Sequence, residues 1–270
     1  MSAVAFAITA IVLYLLTSIA LTMRLANRGG LTLSRMFVLL TGFAAVLLHA
    51  AFLYPQLVTT YGLDLGFFNA VSLLSLIVAA LLLLVALKQP VENLGILVLP
   101  VSAAALALAA WYPGEQRFVS GDSWQLDLHI LFSVLAYSLF ALAAVQALLL
   151  AIQDHHLHNH QPGGFIRALP PLQIMESLLF QMIGSGFALL SAALLTGFLF
   201  LDDIFAQHLV HKTLLSLAGW VIFGVLLWGR WKFGWRGRKA IRWTLSGFMI
   251  LLLAYLGSKA VLELILQRTA

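Results

Sequence analysis

Cysteine is absent from the chain, which excludes disulfides, thiolate metal sites and any Cys-x-x-Cys thiol relay within this polypeptide. Redox chemistry would have to come from a bound cofactor. Charge is scarce too: 9% of residues are Asp, Glu, Lys or Arg, against 62% hydrophobic. A surface so poor in charge cannot meet water over most of its area and must meet lipid. No apolar run carries a carboxylate at its middle, and no Ser-His-Asp set, phosphate loop or pair of catalytic acids is found, so no enzyme is expected. Nor is any polar stretch long enough for a soluble domain, the longest loops falling at 153–177, 54–66 and 113–125. An internal repeat is also missing, which leaves an inverted-repeat transporter without support.

What is present is a succession of apolar runs at 3–23, 36–54, 67–87, 94–112, 126–152, 178–201, 213–229 and 244–265. Most approach the roughly 20 residues that cross a hydrocarbon core of about 30 Å. Backbone polar groups in lipid must bond within their own segment, so these runs predict helices. Pro100 interrupts the fourth and kinks it without ending it. The fold class expected is all-α: a polytopic membrane helix bundle of about eight transmembrane helices, forming a single integral membrane domain over 1–270.

Every Lys and Arg except Arg117, Lys212, Lys259 and Arg268 falls in one set of alternate loops. Basic residues beside a span resist export, so that set is cytoplasmic and both termini are expected on the periplasmic side of a bacterial inner membrane. The first segment has neither a basic n-region nor a small-residue cleavage site before Arg24, and is read as a retained first helix. The net charge of +5 needs no nucleic acid, because its carriers lie beside spans, where anionic headgroups are the nearer partner. The stretch Arg230-Trp-Lys-Phe-Gly-Trp-Arg-Gly-Arg-Lys239 mixes aromatic and basic residues, as interfacial anchors do.

That orientation puts His49, His129 and His211 at the outer ends of three different runs. An imidazole there needs a partner, and one alone most simply bonds a neighbouring helix; three at one depth make a ligand site competitive. Two imidazoles from facing helices are able to hold haem iron axially, with the propionates directed to the wet boundary, where Lys212, Lys259 and Arg117 lie. Lys259 and Glu263, four apart, also read as an ordinary helical ion pair. The alternative guest is a divalent metal, with His208, Asp202 and Asp203 near in sequence, which ranks second because no known metal spacing is present. A divalent-cation transporter using the same outer residues ranks lower still, for want of a mid-span carboxylate.

The tract Asp154-His-His-Leu-His-Asn-His160, followed by Gln-Pro-Gly-Gly164, has the composition of a metal-binding tract, but nothing orients its ligands, and a solvated loop is expected. Gln146 and Asn69 are expected to bond between helices. Gly184-Ser-Gly186 and Gly197, with Ser191, permit close helix contact.

Residues Leu169-Pro-Pro-Leu-Gln-Ile-Met-Glu-Ser-Leu, continuing through Gly184 and Phe187 to Leu195-Thr-Gly197, resemble the segment before the periplasmic loop in the cytochrome c assembly (CcsA/CcmC/HemX) superfamily. Lys212-Thr through Trp220 to Trp228-Gly-Arg230 resembles the helix after that loop, and Leu128-His129 with Leu135-Ala-Tyr137 resembles the span carrying the family's first periplasmic haem histidine. The likeness covers about 126–265 well and the rest by hydropathy. Short loops and a missing soluble domain look most like the YpjD-type inner-membrane branch. The resemblance implies a protein that binds or handles haem, here haem b, near the outer face, in the lipid bilayer and with other membrane proteins as possible partners. Three departures bear on that. The matching loop, Phe200-Leu-Asp-Asp-Ile-Phe-Ala-Gln-His-Leu-Val-His211, lacks the family's tryptophans, so direct haem ligation to an apocytochrome is not expected. Two further family histidines correspond to Trp228 and to the Leu256-Gly257 region, and only His129 carries over. A membrane accessory or regulatory protein that has lost its haem is the rival reading.

Overall fold

The computed structural model describes residues 3–26, 34–60, 62–112, 118–119, 124–158, 169–200 and 210–261. Among them 8 helical segments are long and apolar enough to cross a bilayer, in register with the apolar runs. These are α1 (Ala3–Ala26), α2 (Arg35–Leu57), α3 (Phe67–Ala86), α4 (Gly95–Trp111), α5 (Trp124–His158), α6 (Leu172–Phe200), α7 (Val210–Phe233) and α8 (Arg238–Leu252). A 3-10 turn at Glu92–Leu94 leads into α4, and α8 continues through a π turn at Leu253–Gly257 into α9 (Ser258–Ala260).

Several helices outrun their apolar runs. Where lipid ends, a helix needs only its own backbone bonds to continue, so its ends follow the breakers rather than the hydropathy. Thus α6 starts immediately after Pro170-Pro171, and α8 immediately after Gly237, whose φ is +54°. The largest correction concerns Asp154–His158, expected as solvated loop: these residues are the last turns of the 35-residue α5, and the next breaker in sequence is Pro162. The rest of that tract lies outside the described residues. A further departure from an all-helical reading is a small antiparallel sheet in the order β1 (Val58–Thr59), β2 (Gly62–Asp64), β3 (Phe118–Val119), with Val58 opposite Leu63 and Leu63 opposite Val119.

The chain divides into two compact units, Met1–Ser120 with His155–Pro171, and Gly121–Asp154 with Leu172–Ala270. In the first, α1 packs on α2 and α4, and α3 on α2 and α4. Small residues bring the axes close: a Cβ added to Gly95 would fall 2.7 Å from Leu21 Cδ1, and one on Gly42 2.9 Å from Leu83 Cδ2. Ala7, Ala10, Leu53, Ala79, Leu82, Leu99 and Leu106 fill the interior. Arg35 ties the start of α2 to the α3–α4 connection, donating to the Ala86 carbonyl and pairing with Glu92 at 3.3 Å. The Asp64 carboxylate braces the start of α3, accepting from Gly66 N (3.0 Å) and Asn69 Nδ2 (3.3 Å); Asn69 therefore bonds within its own segment.

In the second unit, α6 meets α7 through Phe187 stacked on Trp220, their centroids 5.4 Å apart, while the Trp220 indole donates to Ser191 Oγ at 2.8 Å. Phe140 of α5 stacks on Phe223 of α7 at 3.9 Å, and Gly186 gives Phe140 its room. Gln146 Nε2 donates to the Met175 carbonyl at 3.0 Å, an interhelical bond as its place inside a run predicts. At the π turn of the last span, where carbonyls lose their i+4 donors, the Tyr137 hydroxyl donates to Leu251 O at 2.9 Å. Large apolar side chains remain exposed in both units, among them Leu40, Leu47, Val101, Leu195, Phe198 and Met249, as expected of a surface solvated by acyl chains.

Candidate functional site

His129 stands in the second turn of α5, half-buried. Its Nδ1 lies 2.8 Å from the carbonyl oxygen of Ala193 on α6. A carbonyl only accepts, so Nδ1 carries the proton and Nε2 is the basic nitrogen. Among the described residues Nε2 has no hydrogen-bond partner. The arrangement is the one that orients metal-ligating imidazoles: a backbone acceptor fixes tautomer and ring plane and leaves the other nitrogen's lone pair available. Thr196, one turn beyond Ala193, shares that acceptor: its hydroxyl donates to Ala192 O (2.9 Å) and Ala193 O (3.0 Å), and lies 3.5 Å from His129 Nδ1. Trp124 and Phe200, with ring centroids 6.1 Å apart, stand at the same end of α5 and α6.

His49 is placed quite differently. It is 0% exposed, inside the first unit, with Tyr14 Oη 3.2 Å from Nδ1 and Ser72 Oγ 2.8 Å from Nε2. In either tautomer one ring nitrogen donates and the other accepts, so both are used. Tyr14 and Ser72 are themselves 0% exposed, and the network continues through Ser75 to the Ser72 carbonyl (2.9 Å) and Ser102 to the Ser75 carbonyl (3.1 Å). This polar thread joins α1, α2, α3 and α4. As placed, His49 has no lone pair to offer a metal.

His211 is the second residue of α7 and is exposed; Lys212 beside it is half-buried, as is Lys259 in α9. Arg117, His208, Asp202, Asp203 and Glu263 lie outside the described residues. Among the described residues no group of three or more His, Asp or Glu side chains is gathered so as to hold a metal ion, and this includes His155, His156 and His158 on α5. The residues sequence reasoning passed over are Tyr14, a lone phenol in the first apolar run, and Thr196 with the Ala193 carbonyl. Thr196 carried a signal, since Leu195-Thr-Gly197 is part of the family-like segment. A backbone acceptor, by contrast, leaves no trace in side-chain types.

The model of the family described as "Cytochrome C assembly protein" matches residues 36–266. The "Inner membrane protein YpjD" of Escherichia coli K12 is 32% identical over 266 residues, covering 96% of this chain and 98% of that protein. An "Uncharacterized 28.8 kDa protein in nifR3-like 5'region" of Azospirillum brasilense is 38% identical over 143 residues, 52% of this chain and 53% of that one. The "Cytochrome c biogenesis protein CcsA" of Chlamydomonas reinhardtii is 24% identical over 181 residues, 64% of this chain and 50% of that one. No solved structure matches. With a family model spanning most of its length and a full-length relative in a bacterial inner membrane, this chain is an inner-membrane protein belonging to the cytochrome c assembly protein family.

Proposed function

We propose that the protein is a non-catalytic, haem-binding component of the membrane that would hold haem near the periplasmic face with His129 Nε2 as one ligand. The observation that carries this is the hydrogen bond from His129 Nδ1 to Ala193 O, which orients an otherwise unengaged nitrogen at the one position where the family's haem histidine carries over. Bound there, haem would supply an iron centre suited to one-electron exchange. With both His49 nitrogens occupied, His211 is the remaining candidate for a second histidine that would hold the haem. Lys212 and Lys259 are the candidates to neutralise the propionates. The chain has no cysteine to form thioether links, so the haem would be held non-covalently, and haem b is the type proposed. The distribution of basic residues supports periplasmic termini.

Reduced-minus-oxidised optical spectra of detergent-purified protein, expressed with ample haem, test the proposal. A sharp Soret band that disappears or shifts in His129→Ala supports it, and colourless wild-type protein overturns it. The loop 200–211, without tryptophan, favours one second reading: an accessory or regulatory subunit that keeps the fold without haem, recognised by a stable co-purifying membrane partner and indifference to substitution of His129, His49 and His211.

A further inference from the structure

The α7–α8 turn is built rigidly and charged against its own helix. Trp235 lies directly over Gly229, where an added Cβ would fall 2.5 Å from the indole, and the backbone N–H of Trp235 donates to Gly229 O at 3.2 Å. Arg230 holds the same turn, donating to Trp235 O at 3.2 Å with its guanidinium 4.6 Å from the Phe180 ring centroid. Glu176 of α6 accepts from Gly237 N at 2.6 Å. From that fixed base α8 starts Arg238-Lys239-Ala-Ile-Arg242, with no acid in its first turn. The N-terminal end of a helix is its positive pole and favours carboxylates, so Arg238 and Lys239 in the first turn oppose the dipole, which the Glu176 carboxylate on Gly237 N offsets in part. Lys239 and Arg242, three apart, also repel one another.

The neighbouring groups offset only part of this charge. Arg238 pairs with Asp154 at 3.1 Å, and Arg230 is engaged as described. Among the described residues Lys239 has only the Trp235 ring, 5.7 Å away, and Lys232, Arg236 and Arg242 have no acidic partner. All four are exposed. Beside them the last turns of α7 expose Trp228 (55%), Trp231 (83%) and Phe233 (62%), amphipathic or aromatic rings of the kind that settle at headgroup depth. A local arrangement that costs stability on its own, yet is rigidly held, is the mark of a site completed by something else.

We infer that this turn is a binding site for the phosphodiester headgroup of an anionic phospholipid, seated by Lys239 and Arg242 with Lys232 and Arg236 at its edge, its acyl chains against Trp231 and Phe233. The exposed rings beside the apolar length of α7 select a lipid over a soluble anion or an acidic protein. The inference is independent of haem and of which leaflet this end faces.

Thermal unfolding of the delipidated protein in neutral detergent, titrated with phosphatidylglycerol, tests it. Phosphatidylglycerol should raise the unfolding midpoint and phosphatidylcholine should not, with the response weakened by added salt. Lys239→Gln/Arg242→Gln should unfold at a higher temperature than wild type in plain detergent, because a cation leaves the first turn and the repulsion between the two is removed, and should bind phosphatidylglycerol about thirtyfold more weakly. Lys232→Gln/Arg236→Gln, clear of the helix start, should weaken the response without that gain. Equal protection by phosphatidylcholine, or by inorganic phosphate or poly-glutamate at equal charge, overturns the inference, as does an unaltered lipid response in both variants.

Discussion

Replacing His49 by Leu separates the two roles open to a histidine within a span. The side chain is 0% exposed and leucine is of similar bulk, so the main loss is polar. Ser72 sits on α3 and its hydroxyl has carbonyls of its own helix to turn to, so its loss is small. Tyr14 has no such retreat: its phenol is rigid, 0% exposed, and 3.2 Å from the nitrogen removed. A buried hydroxyl left without a partner costs about 1–3 kcal/mol, whereas an interhelical hydrogen bond in a membrane protein contributes about 0.6 kcal/mol on average. His49→Leu should therefore destabilise by about 1–3 kcal/mol, most of it assigned to Tyr14. The double variant Tyr14→Phe/His49→Leu removes donor and acceptor together and should be more stable than His49→Leu alone. Unfolding in mixed micelles, followed by circular dichroism across the four-member cycle, measures this. The haem spectrum of His49→Leu should match wild type. Simple additivity of the two substitutions would refute the network argument, and a bleached Soret band in a normally stable His49→Leu protein would return His49 to the ligand set.

Thr196→Val leaves the Ala193 carbonyl to His129, so the Nδ1 proton resonance of that imidazole should move downfield in proton NMR, while Thr196→Ser should leave it in place. Gly229→Ala should destabilise by about 1–3 kcal/mol, since Trp235 has to leave its seat, whereas Gly184→Ala, with nothing within 4 Å, should be neutral or gain up to about 1 kcal/mol of helix propensity; thermal melts compare them. Glu176→Ala removes the acceptor for Gly237 N and should cost about 1 kcal/mol, read as faster amide exchange at the start of α8. Ser191→Ala strands the Trp220 indole donor and should alter its fluorescence with little change in overall stability.

The eight spans were legible because lipid imposes one rule on every segment, and hydropathy reports it directly. Their ends were less so, because beyond the lipid the breakers decide: the prolines before Leu172 carried that information, while nothing in Asp154–His158 showed that α5 would run through it. The strands at 58–59, 62–64 and 118–119 are too short to have a period. Of the histidines, the sequence supplied depth but not company. His49 and His129 look alike in a hydropathy profile, yet one is closed between a phenol and a hydroxyl and the other is held by a carbonyl with a nitrogen to spare. That distinction depends on which helices pack together, and no periodicity encodes it.

Because a π turn takes in one residue more than an α turn, the described residues after Leu253–Gly257 are rotated by about 100° from where an unbroken spiral would carry them. A wheel diagram begun at Arg238 thus assigns Ser258 and Lys259 to the wrong neighbours. Removing one residue from that segment would restore the ordinary repeat, swing Lys259 by about a quarter turn and leave the Tyr137 prop without its mark, all without changing the character of a single side chain.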